Sequence, residues 1–123
     1  MTETDWDDIV NMNLKSVFLC CQAVLPAMLK QKSGKIVSIS SIYGFTGNAT
    51  RSSYAAAKAG VAVFTKSLAL EVAKEGISVN AIAPGPVWTP LNPSDKEAED
   101  VSTFGAKTPM KRPAQPEEIA PAY

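Results

Sequence analysis

Two β-branched runs, "KIVSISS" at 35–41 and "ISVNAIAPG" at 77–85, flank one long alanine-rich stretch, and that arrangement leaves few folds open. The stretch between them can be capped by Ser52 or Ser53, repeats Val61, Phe64, Leu68 and Val72 at helical spacing, and stops at Gly76, a residue suited to a helix C-terminus. Strand, long helix, strand is a βαβ unit, and such units build parallel sheets with right-handed crossovers. The segment "IYGFTGNATRSS" at 42–53, with two glycines, reads as a loop between the first strand and the helix.

Upstream, residues 4–32 read as one long helix. Thr4 with Asp7 resembles a capping box, and Trp6, Ile9, Val10, Val17, Cys21, Val24 and Met28 recur near helical spacing. Leu14, Phe18, Cys20, Leu25 and Leu29 widen the apolar stripe, so burial on more than one face is expected, with Pro26 bending the helix or freeing a carbonyl near Gln22. After Pro90 the chain mixes prolines with charge, as a mobile segment or a lid with one short helix would, and "PEEIAPAY" starts like another helix with Pro116 near its first position. Two strands make a poor sheet, because parallel sheets need several strands and cover on both faces. Residues 1–123 therefore read as part of one larger α/β domain, with no repeat and no linker.

Composition narrows the chemistry. Twelve Lys plus Arg balance twelve Asp plus Glu, so no net field draws the chain to nucleic acid or an anionic membrane, and a small molecule is the expected partner. No apolar run is expected to span a membrane, and "MTETDWDD" does not resemble a signal peptide. Cys20 and Cys21 are adjacent in an apolar run, which suits buried thiols in a reducing, cytoplasmic compartment, and no metal site is expected. The sequence has no histidine, so proton chemistry falls to Tyr, Lys, Asp, Glu or Cys.

In "SSYAAAKAG" (52–60), Tyr54 and Lys58 stand at i and i+4 and leave one helix face together. A free phenol titrates near about 10, and a neighbouring ammonium favours its ionised form, which suits acid–base work. The same pair is also at home on a solvated face. The alanines and Gly60 leave room for a cofactor or another helix. Ser41 ends a strand where ligand sites of open α/β sheets lie, although taken singly Ser41, like Ser38 or Ser40, could equally just satisfy local backbone there. Asn13 is mid-helix among apolar residues and needs a hydrogen-bond partner, structural or functional. The Pro84-Gly85 break would let backbone approach a ligand, or simply turn.

Taken together, "NMNLKSVF", "GKIVSISS", "YAAAK" and "VNAIAPGPVWTP", in this order and spacing, resemble the short-chain dehydrogenase/reductase family. The resemblance implies the C-terminal part of a Rossmann-type doubly wound parallel sheet, an enzyme that binds NAD or NADP and interconverts a carbonyl and an alcohol. It also implies a small-molecule alcohol or ketone as substrate and a homo-oligomer, dimer or tetramer, built through helices 4–32 and 53–75. By matching motif, Tyr54 would be the general acid/base, and Lys58 would favour the ionised Tyr54 and hold the nicotinamide ribose. Ser41 would orient the substrate oxygen, and Asn13 would organise a water relay. Pro84, Gly85, Val87 and Thr89 would hold the nicotinamide end, and 91–115 would be the substrate lid. No G-x-x-x-G-x-G occurs in 1–123, so the pyrophosphate-binding turn of the family is missing from this stretch and weak or no activity is expected of it alone. The other reading is a non-catalytic interaction protein that keeps the two long helices as an association surface.

Overall fold

A computed structural model describes residues 1–94 and 97–123. The two undescribed positions fall inside the expected lid, and that part of the expectation lies outside the described residues. The chain divides into two compact units, Met1–Ala83 and Pro84–Tyr123.

In the first unit, helix α1 (Glu3–Val10) passes through a π-helical segment (Asn11–Lys15) into α2 (Ser16–Gln31), followed by β1 (Gly34–Ile39), a short α3 (Tyr43–Thr46), α4 (Ser52–Val72) and β2 (Ile77–Ile82). The strands pair in parallel with Gly34 opposite Ile77 and Ile39 opposite Ile82, as the βαβ pattern requires. The ladder runs one residue further, since the Ser40 N–H donates to Ile82 O at 2.7 Å.

α4 is long because alanine and leucine favour it, and it buries Ala57, Val61, Ala62, Thr65, Leu68 and Val72, a stripe at helical spacing. Leu68 and Val72 join Cys21, Ile77 and Val79 in the core, with Val17, Leu25, Met28 and Ile36 against them. Burying one such aliphatic side chain is worth roughly 1.5–3 kcal/mol, so this small cluster adds several kcal/mol to the adhesion between helices and sheet. Both helices end in left-handed residues, α2 at Lys32 (φ 53°) and the 3₁₀ turn after α4 at Gly76 (φ 73°). Beside that junction Lys32 pairs with Glu75.

Several expectations are corrected. The capping box is Thr2 with Asp5, not Thr4 with Asp7, because the helix begins two residues earlier and both reciprocal bonds close there. Pro26, expected to bend the helix or free a carbonyl near Gln22, lies inside α2, and a departure from α geometry that was not expected is at Asn11–Lys15. The N-terminal helices bury Cys21 and leave Cys20, Phe18, Leu19, Val24 and Leu29 exposed, so the second apolar face has no cover in this unit. The continuous helix Glu3–Gln31 is long and apolar enough, by length and composition, to cross a membrane, contrary to the expectation that no run would be; core helices of soluble proteins meet the same criterion. Arg51, not a serine, stands at the N-cap of α4, with no side-chain cap bond. The strands stop at Ile39 and Ile82, short of the expected ends, and the loop 42–53 contains α3.

In the second unit, α5 (Leu91–Ser94), α6 (Ala98–Ser102) and α7 (Pro116–Ile119) are short, so among the described residues the lid segment holds two short helices instead of one. Val87 and Ala114 form a parallel bridge, and Trp88 N–H donates to Ala114 O at 2.8 Å. Trp88 packs on Phe104 with ring centroids 6.3 Å apart. Arg112 grips Glu118 with two bonds of 2.6 and 2.7 Å, while Glu118 also accepts from the Gln115 N–H at 2.8 Å, closing the start of α7.

Candidate active site

The first unit gathers its polar side chains where β1 ends against α4. Tyr54 and Lys58 are one turn apart on α4, and the Lys58 Nζ lies over the Tyr54 ring, 5.6 Å from its centroid. That nitrogen donates to Ile39 O at 2.9 Å, so its hydrogen bond goes to the strand end and not to the phenol. Burial pushes the Lys58 ammonium below the ordinary lysine range, since partial loss of water disfavours the charged form.

The serines at the strand end separate by geometry. Ser40 donates from Oγ to the backbone carbonyl of Lys58 at 2.7 Å. Ser41 is also buried, and its Oγ accepts from the Tyr43 N–H at 3.2 Å, an arrangement that leaves its own proton available to a ligand oxygen. Ser38 is buried within β1. Close packing fixes this corner. A Cβ on Gly44 would stand 2.8 Å from Ala59 N and 2.9 Å from the Lys58 carbonyl carbon, so only glycine lets α3 lie this close to α4. The room at Gly60 is taken by a neighbouring helix, where Leu14 Cδ2 would lie 2.8 Å from an added Cβ.

Asn13 sits in the π segment and donates from Nδ2 to Ile9 O at 3.0 Å, while the Ser16 N–H reaches back to Asn11 O. The structural partner of its amide is thereby identified. The widened turn itself was not foreseen; its signal was the Asn-x-Asn within an apolar run, where side-chain amides compete with the helical ladder. Asn13 and Lys58 line one open groove of about 370 Å³ with Ser16, Cys20 and residues 36–39 of β1. Tyr54 and Ser41 do not line it.

The second unit contains Pro84, Gly85, Val87 and Thr89. Pro84, Val87 and Thr89 border an apolar cavity of about 440 Å³ with Ile119 and Tyr123. A Cβ on Gly85 would meet nothing within 4 Å, so space beside that turn is open. The Thr89 N–H donates to Asn92 Oδ1 at 2.6 Å, and Asn92 is buried, which ties the start of α5 to Thr89. Among the described residues no three His, Cys, Asp or Glu side chains are grouped to hold a metal ion.

A family model described as short chain dehydrogenase matches residues 1–100. The chain belongs to that family. This short-chain dehydrogenase chain is 47% identical over 116 residues to a 3-oxoacyl-(acyl-carrier-protein) reductase of Synechocystis sp., an alignment covering 94% of this chain and 45% of the relative. It is 46% identical over 121 residues to a reductase of the same description from Thermotoga maritima, covering 98% and 48%. With the glucose and ribitol dehydrogenase homolog of Oryza sativa it shares 39% identity over 129 residues, covering 100% and 43%. The crystal structure of gox2181 superposes with a TM-score of 0.91 at 41% identity, covering 99% of this chain and 49% of that one. The short-chain dehydrogenase chain thus spans about half the length, or less, of the relatives it matches, and its helix-flanked parallel strands are part of a Rossmann-type fold.

Proposed function

We propose that residues 1–123 carry the proton-transfer and nicotinamide-end portion of an NAD(P)-dependent oxidoreductase that interconverts a carbonyl and an alcohol. The observation that carries the reading is the convergence of Lys58, Ser40 and Ser41 at the C-terminal end of β1, with Tyr54 one turn away on the same helix. That strand end is where ligands of open parallel sheets bind. The residues of the first unit suit the cofactor's nicotinamide half: Lys58 spends one of three N–H donors on Ile39, leaving donors for ribose hydroxyls. A bound nicotinamide supplies or accepts the hydride.

Within this reading Tyr54 gives a proton to the carbonyl oxygen in reduction and takes it back in oxidation. Ser41 donates its hydroxyl proton to the same oxygen and steadies charge developing there. The half-buried Lys58 places positive charge against the Tyr54 ring and holds the ribose. Asn13 shares the groove with Lys58 and would order water leading to it. Pro84, Gly85, Val87 and Thr89 hold the nicotinamide end, and 91–115 closes over substrate. Relatives described as 3-oxoacyl-(acyl-carrier-protein) reductase and as glucose and ribitol dehydrogenase homolog point to a small alcohol or ketone as the substrate class. Free Cys20 and Cys21 accord with a cytoplasmic site of action.

The glycine-rich pyrophosphate turn of the family does not occur in residues 1–123, so this stretch alone should bind NADH or NADPH weakly and turn over slowly or not at all. The test is NADH or NADPH consumption with a ketone panel, beside chemical-shift titration of Tyr54 and Lys58 with each cofactor. Shifts at those residues are expected, with any turnover reduced about 10²–10⁴-fold by Tyr54→Phe. Turnover indifferent to that substitution, or a folded chain whose Tyr54 and Lys58 ignore both cofactors, overturns the reading.

A second reading rests on the uncovered apolar faces of Phe18, Leu19, Val24, Leu29, Val63 and Leu70. These would join copies of the chain through 4–32 and 53–75, as a homo-oligomeric enzyme or as an interaction protein without catalysis. Light scattering together with cofactor titration separates these: a well-folded oligomer that binds no nicotinamide favours the interaction protein.

A further inference from the structure

We infer that Ser40 is a positioning residue, holding Lys58 beside the end of β1 through the hydrogen bond between its hydroxyl and the Lys58 backbone carbonyl. The inference rests on the proposed role of Lys58 and deepens it.

Ser40 is 2% exposed and bonded on two sides. Its N–H donates to Ile82 O at 2.7 Å, fixing it to β2, and its Oγ donates to Lys58 O at 2.7 Å, fixing α4 to both strands. The traffic is returned by the side chain of the same lysine, whose Nζ donates to Ile39 O at 2.9 Å. Two bonds of opposite direction therefore join the Ile39-Ser40 dipeptide to one residue, one at its backbone and one at its tip. A lysine on a flexible four-carbon stem is thereby held at both ends.

The serine bond is not demanded by the helix. A carbonyl inside α4 already faces the N–H one turn ahead and offers Ser40 its second lone pair. Alanine at 40 would remove the hydroxyl and leave no helical group orphaned, so what is lost is placement. Gly44 covers the same peptide from α3, where an added Cβ would come 2.9 Å from the Lys58 carbonyl carbon. With Ser41 next in sequence, the tie sets the distance between the buried serine hydroxyl and the α4 face bearing Tyr54 and Lys58.

The test follows the ζ-nitrogen of Lys58 by NMR in lysine-labelled protein, with the resonance assigned by its loss in Lys58→Arg. In Ser40→Ala the titration midpoint should rise toward the ordinary lysine range as the ammonium swings into water, and Ser40→Thr should restore it to the unsubstituted value. A midpoint in folded Ser40→Ala that stays or falls overturns the inference, as does a rise that Ser40→Thr shares. Should circular dichroism show Ser40→Ala unfolded, Ser40→Cys takes its place, because the thiol fills the site and donates weakly; an unchanged midpoint there is equally fatal. The readout needs no turnover, so cofactor consumption by the same samples judges the oxidoreductase reading separately.

Discussion

Gly76 lies directly against the carbonyl of Lys32: a Cβ at position 76 would stand 2.5 Å from that oxygen, in a residue whose φ is +73°. The turn that starts β2 is thus pressed onto the turn that starts β1, and the register of Gly34 opposite Ile77 follows from this contact. Gly76→Ala meets both a left-handed backbone and a main-chain atom unable to swing away. It should lower stability by about 2 kcal/mol or more, read from the urea midpoint at unchanged slope.

Gly44→Ala should also destabilise, by about 1–3 kcal/mol, because the added methyl meets the Lys58 and Ala59 backbone. A substitution at Gly60 differs, since the methyl there meets the movable tip of Leu14 and alanine favours a helix interior. Parallel urea melts should therefore place Gly44→Ala well below Gly60→Ala.

The Arg112 guanidinium and the Gln115 N–H hold the Glu118 carboxyl down at about 2, against an ordinary value of 4.5. A carboxylate whose folded pKa is depressed contributes fully above its unfolded pKa and loses that contribution as pH falls through the folded one. The contribution of this pair should therefore fade between about pH 4.5 and 2. Carbon-detected titration of Glu118 should show its midpoint rising in Arg112→Ala, and a midpoint that does not move would refute the pairing.

Cys20 is exposed and Cys21 buried, with the Cys21 thiol pushed up by burial and by its neighbour. Iodoacetamide at pH 8 should alkylate Cys20 well before Cys21, with the order read by mass spectrometry of the peptide carrying both. If Cys21 reacts first or at an equal rate, the helix faces are wrongly assigned.

The parallel βαβ unit was legible because its signals are local and repeated: β-branched runs at 35–39 and 77–82, an alanine-rich helix between them, and Gly76 at the turn. The closeness of Tyr54 and Lys58 followed from helical spacing alone. Which way the Lys58 ammonium turns did not, because its partner Ile39 lies nineteen residues away and is met only through packing. The same holds for Ser40 and Ser41, adjacent and identical in type, which only α4 and α3 tell apart. Apolar residues such as Phe18 and Val24 misled for a related reason. Their hydrophobicity announces a partner, but not whether that partner lies within these residues.

The π turn at Asn11–Lys15 sets a rule for insertions and deletions. That turn takes up one residue more than an α-helical turn, so removing one from it restores an unbroken α-helix with the flanking faces kept, whereas removing one from the α-helix on either side rotates everything beyond it by about 100°. A deletion within α2 would therefore turn Trp6 and Ile9 to a different quarter than they face now. Loss of a single codon should thus be absorbed within Asn11–Lys15 and scramble helix orientation only a turn or two away from it.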